Sequence, residues 1–437
     1  MEVCRTYAGR PLSGRTERMS YEIEITQLDS VSAVKAVEAT LQRIDSRLVD
    51  HGERVGYIAC RLCDAGQLPL DKKTLFLLSV FHDVGAYKTD EIDRMVEFET
   101  KDVWNHAIYG YVFLKYLSPL GDSAEAVLYH HAPWRLIEQS GSPYGAYAAL
   151  IHLADRFDIA LSYGAAAAKV PQLGRNELGL FRPAYVDLLR DSRTVSSLTA
   201  ALADGSYRAY NAALSRQFAP SPQEALEYLK LIVFSIDFRS DHTVTHSINV
   251  ISLALYLARH FGLPPDMLEK IYLGALLHDV GKIAVPTEIL ESPGRLTDEQ
   301  MRIMRTHVVE TDALIRGVVP DEICEIAVRH HEKLDGSGYP HGLSGEVLTF
   351  PQRILAVADI VSALNSRRSY KAPFPAEKAV AILTEEMTRG RLDERICRFA
   401  ISHYDEMIRD TEREREKVVA CYQSVMNEFA RMKSAVQ

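Results

Sequence analysis

The chain has 437 residues, of which 47% are hydrophobic and 25% charged, with a formal net charge of −9. That length holds two or three domains with their own cores, and the composition excludes disordered and fibrous classes. The negative balance argues against wholesale coating of DNA or RNA, which needs phosphate neutralisation, and leaves room for a small nucleotide in a local basic pocket.

No stretch reaches the roughly 18 uninterrupted apolar residues of a membrane span, and "MEVCRTYAGR" has no apolar signal core. The expectation is a cytoplasmic protein with no membrane contact. In chain order, "YEIEITQL" near residue 21 is the best period-two run, and it is short. "HGERVGYIACRLCDAG" and "KKTLFLLSVFHDVG" then read as helices. Cys60 and Cys63 form a C-x-x-C on one helical face with no second pair to complete a zinc site. They are expected to be reduced, partly buried thiols. Residues 165–215 mix short helices and turns and are expected to pack on a first domain.

At 216–224, "RQFAPSPQE" carries two prolines and the run Ser221-Pro222-x-Glu224. Ser as N-cap, Pro at the first helical position and Glu three after the cap mark a helix start. The domains are expected to divide there, as 1–215 and 216–437. "HSINVISLALYLARHFG" (246–262) is a helix closed by Gly262, and Pro264-Pro265 precede the next, "DMLEKIYLGALLHDVGK". That helix is apolar almost all round toward its end, as in a buried bundle. The final "DEMIRDTEREREKVVACYQSVMNEFARMK" alternates charge sign and is expected to pack or to form a homodimer. The expected fold class is all-α.

Between 240 and 360, ionisable residues interrupt apolar helices: His246, His278, Asp279, His307, His330, His331 and Asp359. Any one histidine alone is an ordinary core or surface residue. Asp359, inside "ILAVADIVSAL", costs on the order of several kcal/mol to bury unless it is paired or coordinated. The whole set needs a joint explanation. Imidazole nitrogens and carboxylate oxygens without thiolate suit Fe, Mn, Zn, Co or Ni. Asp279 has two oxygens and can bridge two ions, and two ions about 4 Å apart are the usual device for in-line displacement at phosphorus. Lys282, about one turn beyond Asp279, can then pair with a substrate phosphate. "HHEKLDGSGYPHGLSGE" (330–346) follows with a tight glycine loop, in which Tyr339 either stacks on a base or plugs the core.

"LHDVGK", "HHEKLDGSGYP" and "RILAVADIVSALNSRRSY" together resemble the HD-GYP family, the branch of HD-domain phosphohydrolases that hydrolyses cyclic dinucleotides, over roughly residues 225–405. The resemblance implies an all-helical domain with two or three divalent ions, often iron or manganese. It implies opening of a 3′–5′ phosphodiester of cyclic di-GMP by a metal-bound hydroxide, to the linear dinucleotide and then the mononucleotide. On this resemblance His246, His278, Asp279 and Asp359 hold one ion, and Asp279, His307, His330 and His331 the second. Asp279 and Lys282 are the catalytic pair. Lys282 contacts phosphate, the loop with Asp335, Gly338, Tyr339 and Pro340 lies beside the substrate, and Arg353 and Arg368 are basic positions for phosphates or bases. Members with three ions carry a Glu four residues before the first His. Here that position is His242, a third-ion ligand or a supporting residue, and two ions are expected.

The first half repeats the pattern. His51, His82, Asp83, His106, His130, His131 and Asp155 occur in the same order, with spacings of 31, 24, 24 and 24 residues against 32, 29, 23 and 28. This is a tandem duplication of a whole HD-type helical bundle. Lys282 has its counterpart at Ala86, with Lys88 two residues on, and "APWRLIEQSGSPYG" stands where the glycine-tyrosine-proline loop would be. The first domain is expected to hold metal and to serve structure or regulation. Two other functions compete: hydrolysis of the hybrid 3′,3′-cyclic GMP-AMP, and a non-catalytic nucleotide-sensing scaffold.

Overall fold

A computed structural model describes residues 23–28, 50–85, 104–162, 173, 179–218, 221–237, 243–290, 292, 294–365 and 374–436. His242, Arg368, Ala86 and Lys88, on which part of the sequence reading rests, lie outside the described residues. The architecture is all-α and two-domain. Among the described residues, 50–227 and 424–436 form one unit, and 23–28 and 228–423 the other.

Each unit is built on five helices in the same order. In the first they are α1 (His51–Ala65), α2 (Lys72–Val80), α3 (Trp104–Leu117), α4 (Glu125–Leu128) and α5 (Gly145–Ser162). In the second they are α6 (Thr243–His260), α7 (Pro265–Leu277), α8 (Asp298–Ile315), α9 (Asp321–Val328) and α10 (Phe350–Asn365). α1 packs on α2 and α5, and α6 packs on α7 and α10. Local sequence explains the ends. Gly262 takes the left-handed conformation (φ +67°) just past α6, Pro265 opens α7, and Thr297 and Gln300 form a capping box at the start of α8. The helix Pro222–Asp237 begins as its sequence announces, with Ser221 N–H donating to Glu224 and Glu224 N–H to Ser221 Oγ.

The last helix, α11 (Tyr404–Val436), buries Met407, Thr411 and Met432 within the chain. Cys60, Cys63, Cys324 and Cys397 are buried and unbridged, and burial pushes the thiols of Cys60 and Cys63 up, which leaves them protonated and inert. No helix among the described residues is long and apolar enough to cross a membrane.

The short period-two run is not part of a ladder. Residues 23–28 lie along the second unit, with Ile25 and Leu28 buried. The Glu269 carboxylate on α7 accepts from Thr26 N–H (2.6 Å), Thr26 Oγ1–H (2.8 Å) and Gln27 N–H (2.7 Å). A buried carboxylate thus takes the place of a neighbouring strand. Glu269→Ala is expected to destabilise this unit by about 2 kcal/mol, since charge-assisted bonds are lost and amide donors stranded. The urea midpoint of the full chain checks this, and an unchanged midpoint would show that the clasp is idle.

Candidate metal centre

Asp279 sits at the foot of α7, where the helix breaks into a single 3₁₀ turn, Val280–Ala284. Its two oxygens face different histidines. Oδ2 lies 3.1 Å from His278 Nε2 and 3.5 Å from His246 Nε2, while Oδ1 lies 3.4 Å from His307 Nε2 and 4.0 Å from His330 Nε2. Asp359 on α10 closes the ring, 3.2 Å from His246 Nε2 and 3.7 Å from His331 Nδ1. Donor atoms of His246, His278 and Asp279 lie within 4.8 Å of one another, as do those of His307, His330 and His331.

The imidazoles are oriented from behind. Nδ1 of His278, His307 and His330 donates to the carbonyls of Ala275 (2.7 Å), Met304 (2.7 Å) and Ala327 (2.6 Å), each three residues earlier. A carbonyl can only accept, so each Nδ1 carries the proton and each Nε2 presents a lone pair. Those three buried Nε2 atoms have no hydrogen-bond partner. Three orphaned lone pairs around a buried carboxylate fit divalent metal, with backbone carbonyls fixing the tautomer.

Protonation points the same way. Burial holds His307 and His330 below the usual imidazole value and takes His331 down to about 3. Asp279 stays well below the carboxylate range, because His278 and Lys282 outweigh its burial. Neutral histidines and ionised aspartates are the ligand forms. His246 is the exception: burial lowers it, but Asp279 and Asp359 carry it up to about 9. Lys282 lies against Asp279 Oδ2 as a further cation beside that carboxylate.

Glycine makes the close approach possible. A Cβ at Gly281 would lie 2.0 Å from the His307 carbonyl oxygen and 2.4 Å from Thr311 N. The Thr311 hydroxyl locks that contact, accepting from Gly281 N–H (3.0 Å) and donating to the His278 carbonyl (3.1 Å). The loop after His331 is held similarly. Glu332, 1% exposed, accepts from His341 N–H and Leu343 N–H, each at 2.8 Å. A Cβ at Gly338 would lie 2.4 Å from Glu332 Cα. This brings the Tyr339 ring to 4.6 Å from the His331 ring, beside a cis Tyr339–Pro340 bond. Burial raises the Tyr339 hydroxyl, and Asp359 and Asp279 push it further, so it remains protonated.

Two expected substrate contacts are engaged elsewhere. Asp335 is exposed and accepts from Ser337 N–H (3.0 Å) and Oγ–H (2.6 Å), with Arg391 3.4 Å away. Arg353 donates to the Leu348 carbonyl (2.9 Å), the Gly345 carbonyl (2.6 Å) and Asp393 (3.1 Å). Both side chains brace the loop. Sequence reasoning missed Thr311, Ser362 and the anchoring role of Glu332. Their only signal was a polar residue one turn from a candidate ligand, or next to one, in an apolar surrounding.

The first unit assembles the same ring. Asp83 Oδ2 lies 3.3 Å from His82 Nε2 and 3.7 Å from His51 Nε2, and Oδ1 lies 3.6 Å from His130 Nε2 and 3.9 Å from His106 Nε2. Asp155 lies 3.4 Å from His51 Nε2 and 3.6 Å from His131 Nδ1. A Cβ at Gly85 would meet the His106 carbonyl at 2.0 Å. The surroundings differ. His51 Nδ1 bonds the Asp158 carboxylate (2.8 Å), which also takes Arg54, where His246 Nδ1 meets Ser362 Oγ (2.9 Å). Arg156 donates twice to Asp155 Oδ2. A helix, Trp134–Ser140, stands in place of the loop. His131 is 7% exposed against 26% for His331, so the first cluster is the more closed.

A histidine-aspartate pair at a helix foot, ringed by imidazoles from a bundle, is the residue arrangement of an HD domain, and the chain carries it twice. HD domain family models match residues 48–160 and 230–396, one in each unit. A 3′3′-cGAMP-specific phosphodiesterase 1 of Vibrio cholerae is 30% identical over 372 residues, 80% of this chain and 85% of that relative. The cyclic di-GMP phosphodiesterase response regulator RpfG of Xanthomonas campestris is 38% identical over 174 residues, 39% of this chain and 46% of that protein. The crystal structure of a cyclic GMP-AMP-specific phosphodiesterase of V. cholerae shares the fold, with a TM-score of 0.50 at 22% identity, covering 87% of this chain and 97% of that one. The chain belongs to the HD-domain phosphohydrolases, as a phosphodiesterase of the family these relatives represent.

Gly281→Ala is expected to part the Asp279 turn from α8, lower bound metal per chain and reduce turnover by at least about a hundredfold, as ångström-scale misplacement does. Elemental analysis and kinetics check this beside Gly85→Ala, which carries the same clash in the other unit. Equal metal content in Gly281→Ala and wild type would refute it.

Proposed function

We propose that the second unit is an HD-GYP phosphodiesterase that hydrolyses a 3′–5′ bond of a cyclic dinucleotide, with 3′,3′-cyclic GMP-AMP preferred to cyclic di-GMP. The observation that carries the chemistry is the placement of Asp279, whose two oxygens each face two imidazole Nε2 atoms. His246, His278, Asp279 and Asp359 would hold one ion, and Asp279, His307, His330 and His331 the other, with iron or manganese suited to these donors. Such ions supply charge neutralisation and an acidified water for in-line displacement at phosphorus. Lys282, half-buried against Asp279, moves its ammonium to a phosphoryl oxygen once a cation compensates the carboxylate. Tyr339, its ring tilted against that of His331, keeps a neutral hydroxyl at the rim.

Cyclic di-GMP was the first expectation from the motifs. The preference for the hybrid nucleotide is supported by similarity along both units to a cGAMP-specific enzyme, whereas RpfG matches over less than half its length. Cyclic di-GMP is the second reading, favoured by the higher identity of that partial match. Residues 216–437 would be the catalytic domain and 1–215 the structural or regulatory one, because the first cluster is closed and lacks the loop.

The test is hydrolysis of both dinucleotides by the full chain loaded with Mn(II) or Fe(II). The expected result is a kcat/KM for cyclic GMP-AMP at least about tenfold above that for cyclic di-GMP, the equivalent of about 1.4 kcal/mol. His278→Ala with Asp279→Ala should fall to background, and His82→Ala with Asp83→Ala should retain turnover. Intact turnover in the first double variant would refute the assigned site, and faster cyclic di-GMP hydrolysis would reverse the preference.

A further inference from the structure

α8 and the residue that follows it carry three exposed arginines whose surroundings differ. Arg302 pairs with Glu299 (2.6 Å), and Arg316, just past the helix, pairs with Asp312. Arg305, two residues before His307, has no carboxylate within ion-pair distance among the described residues. Its guanidinium lies instead over the Tyr339 ring, 4.9 Å from the centroid. That ring is the one that rests 4.6 Å from His331. A guanidinium stacked on an aromatic face is fixed in place while its in-plane N–H donors stay free. The result is an uncompensated, pre-positioned cation at the rim of the metal cluster. Trp104 holds the corresponding place two residues before His106.

A cyclic dinucleotide carries two phosphodiesters on opposite sides of its ring. The ions and Lys282 can serve the one being cleaved, and the other needs its own cation. We propose that Arg305, braced on Tyr339, binds the second, non-reacting phosphodiester. Arg305 is thereby a substrate-binding residue that selects a dinucleotide ring over a simple diester. This rests on the reading of the second unit as a cyclic-dinucleotide phosphodiesterase.

The experiment compares Arg305→Ala, Arg305→Lys and Tyr339→Leu with wild type on the cyclic dinucleotides and on bis(p-nitrophenyl) phosphate, which has one diester. Arg305→Ala is expected to lower kcat/KM for the dinucleotide at least about tenfold more than for the simple diester. The loss should appear in KM and shrink as salt rises. Arg305→Lys should recover part of it, and Tyr339→Leu should reproduce part of it by freeing the guanidinium. Equal losses on both substrates would assign Arg305 to the cluster or the fold and overturn the proposal, as would no loss. If wild type cleaves the simple diester yet neither cleaves nor is inhibited by either cyclic dinucleotide, the substrate reading fails and this proposal with it. If wild type cleaves a dinucleotide and Arg305→Ala is unaltered, Arg305 alone is wrong.

Discussion

The backbone of residue 281 touches the carbonyl of His307, and everything in the second cluster is referred to that contact. Because no Cβ intervenes, the turn that ends α7 lies directly on α8. Asp279 is therefore carried from one helix to within 3.4 Å of a histidine on another, while its second oxygen keeps the histidines on its own side. The same contact recurs at Gly85 and His106. The glycine of His-Asp-Val-Gly is thus a packing requirement of the carboxylate's position. Thr311 reinforces it in the second unit, and Gly110 holds the corresponding position in the first.

The second constraint is charge. Two aspartates buried among imidazoles create a field that must be met by a proton, a neighbouring cation or a metal ion. In the second unit the neighbouring cations are His246, held up to about 9 by Asp279 and Asp359, and Lys282 against Asp279. In the first unit the compensation is built in. Arg156 is bonded to Asp155, and Arg54 and Asp158 form a permanent pair behind His51, which rises to about 10 against the opposing effect of burial. At the matching offsets the second unit has Ile360, Asn249 and Ser362. Fixed counter-charges make a cluster stable in itself and less dependent on what enters it.

The histidines and aspartates were legible because they break apolar helices, where polar residues have a cost that needs a reason. The helix start at Pro222 and the end at Gly262 were legible from capping chemistry, which is local. The clasp of residues 26 and 27 on Glu269 was not, because it joins groups some 240 residues apart and nothing nearby announces it. Ser362 and Thr311 were missed because a lone hydroxyl on an apolar helix has an ordinary explanation. Asp335 and Arg353 carry the residue types of substrate contacts, yet loop carbonyls, amides and Arg391 engage them. The type of a side chain in a glycine-rich loop says little about its partner, since the loop's own backbone competes for it. Base preference was invisible for a related reason: guanine and adenine differ at ring edges that no motif residue is bound to read.

The duplication separates two properties that a motif search runs together. Seven donors in order are enough to build the ring, because backbone carbonyls three residues earlier orient His82 and His130 as they do His278 and His330. Access and phosphate recognition come from other parts of the chain. In the second unit a loop anchored by Glu332 leaves His331 partly open and seats an aromatic ring against it. In the first, His152 packs on His131 and a helix fills the loop's place. A bundle can carry a full ligand set in a more closed cluster that lacks the loop. The number of ligands therefore ranks the two sites equally, and the loop distinguishes them.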